Sequence, residues 1–288
     1  MSRVPFLSVV TPTYNSERTL ADTLESVASQ MDDSIEHIVM DGGSTDGTIE
    51  ILQKFPHVQW FSERDEGHYH AMHKGVLASR GRFFNVLNSD DCFRLGAIKA
   101  VKAALQSHAD WDGLFGDIVF VDGSGHEIYR REEACFDYNV LRFALGYVIH
   151  PTFFLSKEMY LQLRGFDYQR LKNCADFELM LKAGRVGARI GHVPELLIDY
   201  RFHDHGQSAD MRIQRNMARE AAIIMREHGR LPGLAGSVQA AYYKAKRQGQ
   251  KLILRGKFDL LPGNFKLRRF MREKCDFSSN IGLDKLPE

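Results

Sequence analysis

The sequence predicts an α/β fold, a mainly parallel sheet flanked by helices, followed by an α+β half and a helical C-terminal extension. Three observations carry this expectation. Over the first 120 residues, short β-rich runs alternate with segments whose apolar residues recur at helical spacing, the pattern of βαβ units. After Trp111 the alternation loosens into hairpin-like pairs, and from about Asp210 the pattern turns helical. The chain has 288 residues, 44% hydrophobic and 26% charged, enough for a sizeable core and close to globular averages.

Residues 6–11 read as a buried strand, and 18–30, with Leu20, Leu24 and Val27 on one face, as an amphipathic helix. A second strand at 35–40 precedes a helix over 44–54 opened by polar capping residues, and 58–61 is a third short strand. Helix 68–79, strand 82–87 and helix 95–106 complete the alternating part. Residues 117–122 and 126–130 flank Gly123-Ser124-Gly125, a hairpin signal, and 152–155 and 196–200 read as further strands.

Net charge excludes little except by its smallness. The 38 Lys and Arg balance 37 Asp and Glu to a formal +1, which gives no reason to expect a nucleic-acid partner. Cys92, Cys135, Cys174 and Cys275 form no CxxC pair, as expected of free thiols in a reducing cytoplasm. The opening MSRVPFLSVVT has one basic residue and an apolar run too short for a signal peptide. No stretch approaches the roughly 18 apolar residues of a span, so membrane contact is expected to be peripheral.

In open α/β sheets ligands bind beyond the carboxyl ends of the strands, so the residues after each strand come first. The first strand ends in Thr11-Pro12-Thr13-Tyr14-Asn15, and GxGxxG is absent, which argues against a dinucleotide dehydrogenase. The second ends at Asp41, before Gly42-Gly43-Ser44-Thr45-Asp46-Gly47-Thr48. A carboxylate there suits a nucleoside that small residues let approach, or simply a capped loop. The fourth ends in Asn88-Ser89-Asp90-Asp91, two adjacent acids that repel unless a hard cation shares them with substrate phosphates, or unless one caps the helix near Leu95. His68, His70 and His73 form an HxHxxH run, but His68 and His70 cannot share a helix face and no further ligand completes a tetrahedral zinc set.

Together these motifs become specific. SVVTPTYN from Ser8, DGGSTDGT from Asp41, DEGHYHAMHKG from Asp65 and LNSDD ending at Asp91 resemble the N-terminal half of the inverting family-two glycosyltransferases of bacterial polysaccharide biosynthesis, which have the Rossmann-like GT-A fold. HPTFF from His150, RGFD from Arg164, ADFELMLKA from Ala175 and YRFHDHGQS from Tyr200 resemble that family's acceptor-side motifs. The resemblance implies a UDP-, GDP- or dTDP-sugar donor, Mn²⁺ or Mg²⁺, and transfer with inversion to a saccharide or lipid-linked acceptor. By the same resemblance, Pro12, Tyr14 and Asp41 line the nucleoside pocket, with Asp41 accepting from the base, and Asp90 lies by the ribose and metal. Asp91 binds the metal, His203 reaches the metal or diphosphate, Asp176 is the general base, and Glu178 and His150 support it. The family usually has Glu-Asp where this chain has Ala175-Asp176.

The implied organisation is a nucleotide-sugar half over 1–120, an acceptor half over 121–210 and a basic helical extension over 211–288. Residues 244–272 interleave basic and apolar side chains. That pattern suits a helix lying on an anionic membrane on the cytoplasmic face, or one that packs on the catalytic domain or joins a homo-oligomer. Two rivals are a sugar-nucleotide pyrophosphorylase, whose glycine-rich, Arg-containing loop is missing here, and an inactive scaffold, against which the retained acids argue.

Overall fold

The computed structural model describes residues 4–144, 146–202 and 210–255. Strand β1 (Leu7–Thr13) leads to α1 (Leu20–Ala28), β2 (Ile35–Asp41), α2 (Thr48–Leu52), β3 (Val58–Ser62), α3 (His68–Ala78), β4 (Phe83–Val86), β5 (Cys92–Phe93) and α4 (Ala97–Ser107). The hairpin β6 (Gly113–Val121) and β7 (Glu127–Arg131) follows, then α5 (Tyr138–Phe143) and a 3-10 turn at His150–Thr152. The chain continues through β8 (Phe153–Ser156), α6 (Lys157–Gln162), α7 (Ala175–Arg185), β9 (Ile190–Arg201), α8 (Met211–Glu227) and α9 (Gly233–Arg255).

Among the described residues one sheet runs β3-β2-β1-β4-β8-β6-β9-β5, with β7 added to β6. It is mixed and mostly parallel: β1 pairs parallel with β2 and β4, β2 with β3, and β6 with β9, and these are the long pairings. The short strand β8 runs antiparallel between β4 and β6 and joins the two halves. Residue 120 falls inside β6, so the sheet is continuous across it.

Every residue of β1 is buried, because helices cover both faces of the sheet. Val10 points into the cluster with Met72 and Val76 of α3, while Leu7 and Val9 point to the opposite cluster with Ile98 and Val101 of α4. That alternation is the period-two geometry of a strand. Helix α3 lies close against β1 at Gly75, where a Cβ would stand 2.4 Å from Val10 Cγ1.

Two elements differ from the expectation. The helix over 44–54 shrinks to Thr48–Leu52, because the N–H groups of Gly43 and Ser44 turn to the Asp41 carboxylate. The strand over 196–200 extends over all of Ile190–Arg201, its pattern blurred by register shifts opposite Gly116 and Asp117.

The first part of the basic tail packs on the catalytic portion. Arg247 pairs with Glu133, Lys246 with Asp137, and Arg255 with Asp117, while Lys251 is buried. On the other side of α9, Leu234, Val238, Tyr242 and Ile253 are exposed. Residues 257–272 of the predicted basic stretch lie outside the described residues. Among the described residues no helix is long and apolar enough to cross a membrane.

Candidate active site

A cleft of about 910 Å³ opens at the carboxyl ends of β1 and β4. Its lining includes Pro12, Tyr14, Asn15, Asp46, Ser89 and Asp90 from the loops after β1, β2 and β4, and His68, Tyr69, His150, Asn173 and Asp176, with Ile213 and Met217 of α8. The loops after β1 and β2 are stitched together. Asn15, at φ 50°, donates its N–H to Ser44 Oγ at 2.8 Å and accepts from the Thr45 N–H at 2.9 Å. The Ser16 N–H reaches Thr48 Oγ1 at 2.8 Å, and the Glu17 N–H reaches Asp46 at 3.1 Å. Tyr14 stands exposed beside this seam, its ring free to meet a planar ligand.

Asp41 lies below the lining, 1% exposed. Its carboxylate accepts from the Gly43 and Ser44 N–H groups at 3.1 and 3.0 Å, from Ser62 Oγ at 2.6 Å, and from Ser44 Oγ. These bonds fix the loop that carries the seam, so contact with a base would require one of them to open.

Asp90 lines the cleft, whereas Asp91 beside it is fully buried. Neither caps α4, whose N-cap is Gly96. Asp91 accepts from the Arg201 N–H and from Asn88 Nδ2, both at 3.0 Å. Burial, and then the charge of Asp90, push its carboxyl well above the ordinary range. Asn88 continues the chain, its Oδ1 lying 3.1 Å from His150 Nε2.

His150 Nδ1 lies 3.3 Å from Asp176 Oδ2, and the Tyr69 hydroxyl shares its one proton between Asp176 Oδ1 at 2.5 Å and the Asn173 carbonyl at 3.1 Å. Asp176 sits in the first turn of α7, where an anion is favoured. Burial raises its pKa, but the His150 hydrogen bond and charge, Tyr69 and the Phe177 N–H outweigh that, leaving it below the ordinary 3.8. Burial and the neighbouring Asp176 charge push Tyr69 well up, so it stays a donor. The cleft thus presents an ionised carboxylate with one edge toward solvent, as a general base requires.

Glu178 does not join it. It is buried, 5% exposed, and bonds Arg170 and, at 2.9 Å, Lys182, while Arg170 also holds Asp167 and Glu227. His68, His70 and His73 part company: His68 lines the cleft, His70 stacks on Tyr168 with ring centroids 4.5 Å apart, and His73 bonds the Tyr160 hydroxyl at 2.7 Å. Burial holds His68 down at about 4, so it is neutral near pH 7. His203 lies outside the described residues.

Mg²⁺ and Mn²⁺ take oxygen ligands and are commonly held by one or two carboxylates plus substrate phosphates. Asp90 at the cleft fits that description; Asp91 is buried with one oxygen on the Arg201 N–H and the other on Asn88, so it would join a cation only by releasing one of these bonds, and a cation would relieve the charge that burial and Asp90 disfavour there. Among the described residues no three acidic, histidine or cysteine side chains converge into a complete protein cage.

Sequence reasoning did not foresee Tyr69, Asn88 or Glu220 as parts of this site. Tyr69 and Asn88 stand inside recognised motifs, but their partners, Asp176 and His150, come 107 and 62 residues later. Glu220 on α8 bonds the loop before α7, and its only sequence signal is an acid beside the apolar stripe of Ile213, Met217 and Ile224.

Comparison with known proteins shows the family and the fold. The Glycosyl transferase family 2 model matches residues 8–165. Chondroitin synthase of Escherichia coli is 23% identical over 220 residues, covering 72% of this chain and 30% of that protein. A PGL/p-HBAD biosynthesis glycosyltransferase of Mycobacterium tuberculosis is 31% identical over 121 residues, covering 40% of this chain and 47% of the relative. The chain therefore spans less than half the length of either. A putative teichuronic acid biosynthesis glycosyltransferase, TuaG of Bacillus subtilis, is 24% identical over 235 residues and is covered to 90%. Among solved structures, S. aureus TarS 1-349 in complex with UDP-GlcNAc superposes with a TM-score of 0.62 at 19% identity, covering 88% of this chain and 76% of that one. That likeness is one of fold, of the GT-A type. With more than half of its residues matched by the family model, the chain belongs to glycosyltransferase family 2.

Proposed function

We propose that this protein transfers a sugar from a nucleoside-diphosphate sugar to an acceptor hydroxyl, with inversion at the anomeric carbon, in the assembly of a bacterial surface polysaccharide or glycolipid. The observation that carries the reading is one cleft lined by both Asp90 and Asp176, the latter braced by His150 and Tyr69. The relatives that act in teichuronic acid and chondroitin synthesis support the polymer class, and the UDP-GlcNAc bound to TarS makes UDP-sugars the first donors to test.

Pro12 and Tyr14 would receive the nucleoside, and Asp41 would serve it by shaping the loop behind them. Asp90 and Asp91 would hold Mn²⁺ or Mg²⁺, a Lewis acid that offsets the charge of the departing diphosphate. On the opposite face of the sugar, the acceptor oxygen bonds to the anomeric carbon as the bond from that carbon to the diphosphate oxygen breaks. The acceptor's proton passes to Asp176, which His150 and Tyr69 keep ionised and aimed.

A thermal-shift panel of UDP-, GDP- and dTDP-sugars with Mn²⁺ tests donor binding, because stabilisation rises as RT ln(1 + [L]/Kd). The expected result is a shift for one nucleotide, lost in EDTA and regained with Mn²⁺. Donor turnover that persists in EDTA, with the metal-free state verified, rejects the metal assignment.

A further inference from the structure

We infer that Glu220 of α8 is the positioning residue for the base-bearing helix, which makes α8 part of the catalytic unit. The inference rests on Asp176 being the base. Helix α7 starts without a cap of its own: Cys174 stands at the N-cap and its side chain makes no capping bond. Glu220 instead grips, from outside, the segment that leads into the helix. Its carboxylate accepts from the Asn173 N–H at 2.9 Å, the Cys174 N–H at 3.0 Å, Asn173 Nδ2 at 2.6 Å and the Lys172 N–H at 3.3 Å. A negative charge at this end is favoured by the orphan N–H groups and the helix dipole.

The clamped segment lies two residues from Asp176, and its other side is held by the Tyr69 hydroxyl on the Asn173 carbonyl. Tyr69 also bonds Asp176, so loop and base are gripped from two directions. Glu220 is not what docks α8. Ile224 and Met225 are buried, and Glu227 pairs with Arg170, so the helix keeps its seat without that carboxylate. Ile213 and Met217, two turns and one turn before Glu220 on the same face, line the cleft that Asp176 also lines. The helix therefore combines two tasks, walling the acceptor end and fixing the base.

Amide exchange reads the clamp without any substrate. In Glu220→Ala, the peptide covering 171–176 should exchange about ten-fold faster while α8 peptides keep wild-type protection. Glu220→Gln, which retains one acceptor oxygen, should fall between, and Arg219→Ala, an exposed neighbour on α8, should change neither. With the sugar nucleotide selected by the thermal-shift panel, Glu220→Ala should lower kcat about 10- to 100-fold and leave the donor KM within about two-fold. Unchanged exchange at 171–176 in the folded variant overturns the clamp, and faster exchange with normal kcat overturns the positioning role. If Asp176→Asn keeps normal turnover, the base assignment fails instead, and the exchange result still decides the clamp.

Discussion

Asp176 shows how a half-buried carboxylate stays ionised: His150, Tyr69 and the Phe177 N–H together outweigh its desolvation. If Asp176 is the base, Asp176→Asn keeps the volume and removes the proton acceptor, so kcat should fall by about 10² to 10⁴ while binding of the nucleotide selected by the thermal-shift panel, measured calorimetrically, stays near wild type. His150→Ala removes the bond and charge that favour the ionised form, so the Asp176 pKa should rise. The acid limb of the pH–kcat profile then moves to higher pH, and an unmoved limb shows that His150 does not tune the base. Pro12, Tyr14, Asp90, His150 and Asp176 were legible as cleft residues because each follows a strand or opens a helix at the sheet's ligand-binding end. The burial of Asp41 and Asp91 was not legible. A strand-end acid can turn outward to a ligand or inward to N–H donors, and that choice depends on how the Gly43-Ser44 turn folds back on Asp41 and, for Asp91, on Arg201 far along the chain.

At the level of elements, Glu178 belongs to the joint between α7, α8 and the 167–170 turn rather than to catalysis. Glu178→Gln should therefore leave kcat nearly unchanged and lower stability by about 1–3 kcal/mol, measured by urea denaturation, because Arg170 and Lys182 lose a buried partner. A dead but fully stable Glu178→Gln reverses this assignment. Helices α1, α3 and α4 were readable from apolar spacing, since each lays one stripe on the sheet. Helix α2 was over-read, because Asp41 and Asp46 take up the N–H groups that a longer helix would need. Strand β5 spans only Cys92–Phe93, too short for any periodic signal.

For the whole molecule, buried histidines set the acid limit. Burial, with the nearby His57 charge second, holds His37 at about 3, and burial holds His68 at about 4, against 6.5 for an unperturbed ring. As pH falls below 6.5 the unfolded chain takes up protons that the native state refuses, so stability falls with pH until those lower values are reached. Each histidine contributes a slope of about 1.4 kcal/mol per pH unit inside that window. Urea midpoints taken between about pH 7 and 5 should drop steadily. His37→Gln should flatten the drop, and a pH-independent midpoint rules the account out. The sheet that carries His37 also decides how the protein can be divided. Strand β4 is flanked by β1 on one side and by β8, from beyond residue 150, on the other. A fragment cut at 120 would bare the β4 edge, a template for aggregation. The same geometry makes the two pieces obligate complements: produced together, they could regain the sheet only by zipping β8 back between β4 and β6, a split enzyme whose reassembly its own turnover would report.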